Sequence, residues 1–89
     1  MQKNDFNDQL FEAILTLKTK EECYNFFNDA CTPKEIDTIA QRFAVAKMLN
    51  EKKVYNEIIK ETGASTATIS RVNRAINKGF QTAFERLKK

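Results

Sequence analysis

The 89-residue sequence predicts an all-α fold, and two observations carry that prediction. Apolar residues recur at spacings of three and four residues through most of the chain, and no alternating strand pattern persists. The chain holds one proline and two glycines, so long segments run without a helix breaker. Residues 1–89 are therefore expected to form a single domain of six helices joined by short turns.

The N-terminal segment, residues 1–31, is expected to form two amphipathic helices. The first spans about residues 5–18, and the second begins at Thr19, which forms a capping-box pattern with Glu22. The residues predicted to face inward are Phe6, Leu10, Phe11, Ile14 and Leu17 in the first helix and Cys23, Phe26 and Phe27 in the second.

The same segment is rich in aromatic side chains. Two short helices cannot cover this many large rings within one chain, so some rings are expected to meet a second subunit. The rings concerned are Phe6, Phe11, Tyr24, Phe26 and Phe27. We therefore expect residues 1–31 to be dimerisation helices, with ordinary packing inside one chain as the alternative.

Residues 32–53 predict a long central helix with a well-defined start. Thr32 is suited to the N-cap, Pro33 to the first helical position, and Glu35 completes a capping box. The helix is expected to end at the charged turn 50–53. Its inward residues are predicted to be Ile36, Ile39, Ala40, Phe43, Ala46 and Leu49.

Residues 54–76 predict two short helices separated by a tight turn. Gly63 can adopt the positive φ that ends one helix within about a residue, and Ser65 or Thr66 can cap the next helix. A C-terminal helix then follows in residues 77–89, over about 78–88. The inward residues predicted for these three helices are Val54, Ile58 and Ile59, then Ile69, Val72 and Ile76, then Phe80, Phe84 and Leu87.

The outer face of the second short helix indicates what this helix pair does. It carries small hydrogen-bonding groups and two arginines, and no carboxylate occurs between residues 62 and 81. Small side chains allow close approach to a DNA major groove, and hydroxyl and cationic groups bond base edges and phosphates. A helical hairpin with a solvated polar face is the alternative. The residues predicted to contact double-stranded DNA are Asn56, Ser65, Thr66, Ala67, Thr68, Ser70, Arg71, Arg74 and Lys78.

The charge distribution favours the same interpretation. Residues 1–37 hold four Lys and eight Asp or Glu, net −4, whereas residues 38–89 hold eleven Lys or Arg and four Glu, net +7. Phosphate neutralisation requires a basic surface, and the basic half contains the helix-turn-helix. For any single lysine, however, solvated surface is the better explanation. The candidate phosphate contacts are Lys47, Lys52, Lys53, Lys60, Arg74 and Lys78.

Several other classes of protein are disfavoured by the composition. The chain has no histidine, and Cys23 and Cys31 lie eight residues apart, so no metal site and no cofactor are predicted. No nucleophile, general base or phosphate loop occurs at a recognisable spacing, so we expect no enzyme. There is no membrane-span or signal-peptide pattern, and the chain is expected to be cytoplasmic with reduced, partly buried thiols.

Together these motifs resemble a known family. Thr32, Pro33 and Glu35 followed by Arg42, and then Gly63-Ala64 with the run Ala67-Thr68-Ile69-Ser70-Arg71, are similar to the tryptophan repressor family. The stretch GASTATISRVNRAI is more similar still to its Trp-repressor-like YerC/YecD branch. The resemblance implies a six-helix, intertwined homodimer whose N-terminal helices interlock with the partner.

The resemblance also implies a candidate effector pocket, formed by Thr32, Arg42 and Arg71, where the tryptophan repressor holds its corepressor. Two departures count against tryptophan itself. Val72 stands where the repressor has a glycine that leaves space for the indole ring, and Cys31 replaces an apolar residue beside the pocket's threonine. A small-molecule effector is thus conceivable but unidentified, and Arg42 and Arg71 have ion-pair or phosphate-binding roles as alternatives.

A further departure concerns the DNA site. The repressor's first helix of the pair offers an arginine and a lysine to its operator, whereas this chain has Asn56 and Ile59. We therefore expect a transcriptional regulator, most simply a repressor, that acts as a dimer on a different palindromic site and does not respond to tryptophan. The alternative is a dimeric interaction module that keeps the fold but acts through a protein partner.

Overall fold

The computed structural model describes residues 1–88, which form six α-helices and no strand. The prediction of an all-α fold with six helices is confirmed. The chain divides into two compact units, Met1–Ile36 and Asp37–Lys89, which are described separately. The helices are α1 (Asp5–Ile14), α2 (Lys20–Ala30), α3 (Pro33–Asn50), α4 (Tyr55–Thr62), α5 (Thr66–Ala75) and α6 (Lys78–Leu87).

The helices of the first unit begin at side-chain caps. Thr19 caps α2, because its hydroxyl accepts the backbone N–H of Glu22 at 3.1 Å, as the sequence predicts. Helix α1 ends at Ile14, earlier than expected. The Thr16 hydroxyl donates to the Ala13 carbonyl at 2.6 Å, and the Leu17 N–H donates to the Ile14 carbonyl. These bonds close the helix with a tight turn.

Helix α3 starts with the capping box that the sequence predicts. The Thr32 hydroxyl accepts the Glu35 N–H at 3.2 Å, and the Thr32 N–H donates to Glu35 Oε1 at 2.8 Å. The bond from the Thr32 backbone N–H, and then the Thr32 hydroxyl beside the carboxylate, lower the pKa of the Glu35 carboxyl. Thr32 is thus engaged in starting the helix.

The first unit does not bury the apolar residues that the sequence places inward. Neither α1 nor α2 has a buried side chain. Phe6 is 83% exposed, and Leu10, Phe11 and Cys23 are also exposed, so these four inward predictions are wrong for the single chain. Two short helices present too little facing surface to cover them. The half-buried residues include Ile14, Leu17, Phe26, Phe27 and Cys31.

The second unit has a hydrophobic core that draws on four helices. Val45, Ile58 and Ile69 have fully buried side chains, one from each of α3, α4 and α5. Each contributes roughly 1.5–3 kcal/mol through removal of apolar surface from water. The buried residues are Val45, Ala46, Met48, Ile58, Ala64, Ile69, Val72 and Phe84, and those packed against them are Phe43, Leu49, Tyr55, Ile59, Ile76 and Phe80.

Most inward predictions for this unit are confirmed, but four are wrong. Val54 is 59% exposed because it is the N-cap of α4 and lies outside the helical stripe. Ile39, Ala40 and Leu87 are exposed because no described residue of the unit covers their positions on α3 and α6. Val45 and Met48, which the sequence pattern did not assign to the core, are buried.

Three aromatic rings join α6 to α3. The Phe43 ring lies 5.4 Å from Phe80 in an edge-on arrangement and 5.5 Å from Phe84, centroid to centroid. Phe80 and Phe84 are themselves 6.1 Å apart. Such pairs are each worth about 0.5–1.5 kcal/mol beyond the area they bury. This cluster therefore holds the C-terminal helix against the central one.

Two helix ends use left-handed backbone. Gly63 ends α4 at φ 72°, as predicted, and its N–H donates to the Ile59 carbonyl at 2.9 Å. Lys52 also has a positive φ, of 66°, in the turn after α3. The Lys52 N–H bonds the Leu49 carbonyl and the Lys53 N–H bonds the Met48 carbonyl, which is a Schellman motif with lysine in the position that glycine favours.

Substitutions at Gly63 and Lys52 should change the free energy of unfolding in opposite directions. Denaturant titration at a fixed protein concentration measures both changes. Gly63→Ala should lower it by about 1–2 kcal/mol, since a side chain is strained at this φ although no atom lies within 4 Å of an added Cβ. Lys52→Gly should raise it by up to about 1 kcal/mol. Gly79→Ala, at a helical site that is equally open, is the control and should be neutral or stabilising. A neutral Gly63→Ala contradicts the assignment.

Candidate nucleic-acid interface

Helices α4 and α5 form the helix-turn-helix that the sequence predicts. The two helices pack against each other, with Ile58 of α4 and Ile69 of α5 fully buried in the shared core. Ser65 is the N-cap of α5, and its hydroxyl accepts the Thr68 N–H at 3.1 Å. The inner side of α5 is thereby fixed by apolar packing, while its first turn is defined by a hydroxyl cap.

The turn between these helices is tied to α3 by one hydrogen bond and braced by two local ones. The Gln41 side-chain amide donates to the Thr62 carbonyl at 3.1 Å. The Thr62 hydroxyl donates to the Ile58 carbonyl at 2.7 Å and accepts the Ala64 N–H at 3.1 Å. One threonine thus satisfies backbone groups on both sides of Gly63, and Gln41 fixes this turn relative to the central helix.

Sequence reasoning missed both Gln41 and Thr62 as supports of the site. A threonine directly before a helix-ending glycine is a signal that could have suggested Thr62, because threonine commonly bonds the carbonyl four residues earlier. Gln41 had no comparable signal. Its bond joins residues 21 positions apart, so it becomes evident only when α3 and the turn are placed together.

The face of α5 opposite the core carries the residues predicted to contact DNA. Ser65, Thr66, Ala67, Arg71, Arg74 and Asn73 are exposed, whereas Thr68 and Ser70 are half-buried. Side chains near the start of α5 are small, and the two arginines follow in the next turns. In helix-turn-helix proteins, small side chains of this kind enter the major groove and arginines commonly bind the phosphates beside it.

Other predicted contact residues lie elsewhere in the second unit. Asn56 is exposed in the first turn of α4, and Lys78 is exposed at the first position of α6. Ile59 is half-buried and packs against the core. The exposed candidate phosphate contacts are Lys47, Lys52, Lys53, Lys60, Arg74 and Lys78.

The residues of the candidate effector pocket belong to both units. Thr32 belongs to the first unit, where its hydroxyl caps α3. Arg42 and Arg71 are exposed on α3 and α5 of the second unit. Val72, the residue after Arg71, is buried in the core of that unit with 6% of its surface exposed.

Within residues 1–88 no helix is both long enough and apolar enough to span a membrane. The same residues contain no group of three or more Cys, Asp or Glu side chains arranged to hold a metal ion.

Comparison with known proteins identifies the family. The sequence profile of the family described as Trp repressor protein matches residues 6–89, nearly the whole chain. This chain belongs to the Trp repressor family. Members of the family are DNA-binding regulators. Helix-turn-helix pairs of this kind read DNA in such regulators, and residues 54–76 form one.

Related proteins of the Trp repressor family share both sequence and structure with this chain. The uncharacterized protein YerC of Bacillus subtilis strain 168 is 56% identical over 84 residues, which cover 91% of this chain and 81% of YerC. This similarity confirms the predicted resemblance to the YerC branch.

Two solved structures superpose closely on the fold. A TrpR-like protein from Eubacterium eligens is 54% identical, with a TM-score of 0.92 over 97% of this chain and 92% of that protein. A Staphylococcus aureus protein provisionally described as a Trp repressor is 46% identical, with a TM-score of 0.90 over 97% of this chain and 89% of that protein. The all-α architecture is therefore the one found in TrpR-like proteins.

Proposed function

We propose that this chain is a transcriptional regulator, a repressor in its simplest mode of action, that binds a specific sequence of double-stranded DNA through α5. The observation that carries the proposal is the exposed face of α5, where small hydroxyl-bearing side chains and two arginines occur without a carboxylate. Family membership supplies the DNA-binding context. Such a role in a bacterial cell would place the protein in the cytoplasm, with the chromosome.

Four residues of α5 have roles in this proposal that follow from their chemistry. Thr66, Ala67 and Thr68, in the first turn, would meet base edges, where hydroxyls form hydrogen bonds and methyl groups contact thymine. Arg74 lies two turns further on and would bind phosphate. Phosphate contacts fix the protein on the duplex, and base contacts select the sequence.

The protein is proposed to act as a homodimer on a palindromic site. Two-fold symmetry would place two α5 helices in successive major grooves, about 34 Å apart. The first unit supports this proposal, because α1 and α2 leave Phe6, Leu10, Phe11 and Tyr24 exposed. An apolar surface of this extent is unusual on a monomeric protein and is suited to a second copy.

Selection of bound sequences from a random duplex pool should enrich a palindrome with half-sites about one helical turn apart, without added ligand. Thr68→Ala should then change the base preference at one position of each half-site. Arg74→Ala should weaken binding to all sequences and reduce the slope of log affinity against log salt by about one, since one phosphate contact is lost.

Arg86→Ala is the matched control for this experiment. Arg86 is an exposed arginine on α6, and its removal lowers the net charge equally but should leave the salt slope nearly unchanged. Weak, salt-sensitive binding with no enriched sequence contradicts the proposal. Such a result points instead to a protein partner, which pull-down experiments would then identify.

If the protein is a dimer, substitution of an exposed apolar residue of the first unit should lower its average molecular mass in solution. Sedimentation equilibrium should give twice the chain mass of 10.3 kDa for the unmodified protein. Phe6→Ser should weaken self-association by about tenfold or more, because a ring that is 83% exposed in one chain would be buried by the partner. Val54→Ser alters an exposed apolar residue of the second unit and is the control. A monomer at all concentrations contradicts the dimer.

Tryptophan is not the proposed effector. Val72 fills part of the core with a branched side chain where the tryptophan repressor has glycine, and this supports the exclusion of an indole ring. Calorimetric titration should therefore show no saturable binding at micromolar tryptophan. Saturable binding that is lost in Arg42→Ala would overturn this prediction and restore the candidate pocket of Thr32, Arg42 and Arg71.

A further inference from the structure

The first turn of α5 contains a pair of hydroxyl groups that are bonded to each other. Ser65 Oγ accepts the backbone N–H of Thr68 at 3.1 Å, which caps the helix. Ser65 Oγ also donates to Thr68 Oγ1 at 3.1 Å. The second bond is unnecessary for capping, because the first already satisfies the orphan amide. The Thr68 side chain is thus held by the residue that starts the helix.

The hydrogen-bonding capacity of the two hydroxyls determines what Thr68 can offer to a ligand. Each hydroxyl has one donor and two acceptor sites. The one proton of Ser65 is directed at Thr68 Oγ1, which therefore uses an acceptor site within the protein. Within residues 1–88 the Thr68 hydroxyl donates no hydrogen bond of its own. Its proton and its second acceptor site are therefore left for an external partner.

Thr68 is placed where such a proton can be used. It is the third residue of α5, and helical side chains lean toward the helix N-terminus, which is the end that enters the groove. Thr68 is half-buried, whereas its neighbours Thr66 and Ala67 are exposed. Its hydroxyl therefore has less freedom of orientation than a fully exposed one.

We propose that Ser65 is a positioning residue for base recognition, and that it orients the Thr68 hydroxyl as a hydrogen-bond donor. The base facing Thr68 should then present an acceptor on its major-groove edge, as guanine, adenine at N7 and thymine do. Cytosine presents an amino donor there and should be disfavoured. This inference rests on the proposed DNA-binding function and adds the class of base that one position selects.

The test compares affinities for a selected duplex and for the same duplex with cytosine at the position whose base preference depends on Thr68. The unmodified protein should bind the cytosine duplex about fivefold more weakly, the effect expected of one hydrogen bond. Thr68→Val should remove this discrimination. Ser65→Gly should reduce it to about twofold or less, because glycine serves as an N-cap at little cost but cannot orient Thr68.

Three further variants separate positioning from folding. Ser65→Thr retains a hydroxyl and should restore the discrimination, and Thr82→Val removes a hydroxyl from α6 and should leave it unchanged. The double variant Ser65→Gly with Thr68→Val should show the same lack of discrimination as Thr68→Val alone, since both changes act on one bond. Thermal melting should confirm that Ser65→Gly remains folded at the assay temperature.

The possible outcomes distinguish this inference from the function on which it rests. Full discrimination against cytosine in Ser65→Gly shows that Thr68 acts without Ser65 and overturns the inference. Discrimination that persists in Thr68→Val overturns it as well, while duplex binding still stands. Failure of the unmodified protein to bind any duplex specifically overturns the proposed function and the inference together.

Discussion

The burial of Ile58 and Ile69 against α3 is the interaction on which the rest of the second unit depends. Both side chains are fully buried beside Val45, so one side of each short helix is fixed to the central helix. An eight-residue helix is marginal in isolation, and packing supplies what its hydrogen bonds cannot. Loss of either isoleucine to alanine would cost about 2–5 kcal/mol, a large fraction of the stability of a small domain.

That packing also determines which face of α5 is available. Once Ile69 and Val72 are buried, helical geometry directs Arg71 and Arg74 away from the core. Polar contacts then refine the arrangement, through the Thr62 and Gln41 bonds at the turn and the Ser65 cap at the start of α5. Apolar burial thus supplies the free energy that stabilises the helix pair, and a few hydrogen bonds fix the orientation of its helices. The first unit lacks a comparable core, which is why its exposed rings favour a second copy as partner.

Sequence patterns predicted those features that depend on neighbouring residues. The caps at Thr19, Thr32 and Ser65, the turn at Gly63 and the six helices all follow from local chemistry, and the structure confirms them. Patterns failed where the outcome depends on what covers a residue. Helical periodicity placed Phe6 and Leu87 inward, yet among residues 1–88 nothing in the respective unit lies over them. Sequence patterns did not predict the left-handed backbone at Lys52 or the hydrogen bond from Gln41, because neither lysine nor glutamine indicates such a role by its residue type.

Amide chemical-shift mapping by NMR tests the central claim most directly. Titration with a selected duplex should perturb residues 65–74 and the first turn of α4 most strongly, at an equivalence of two chains per duplex. Perturbations of α1 and α2 should be small, because their apolar side chains are assigned to the partner chain rather than to DNA. Perturbations concentrated in α1 and α2, with α5 unchanged, would contradict the assignment of α5 as the helix that reads DNA.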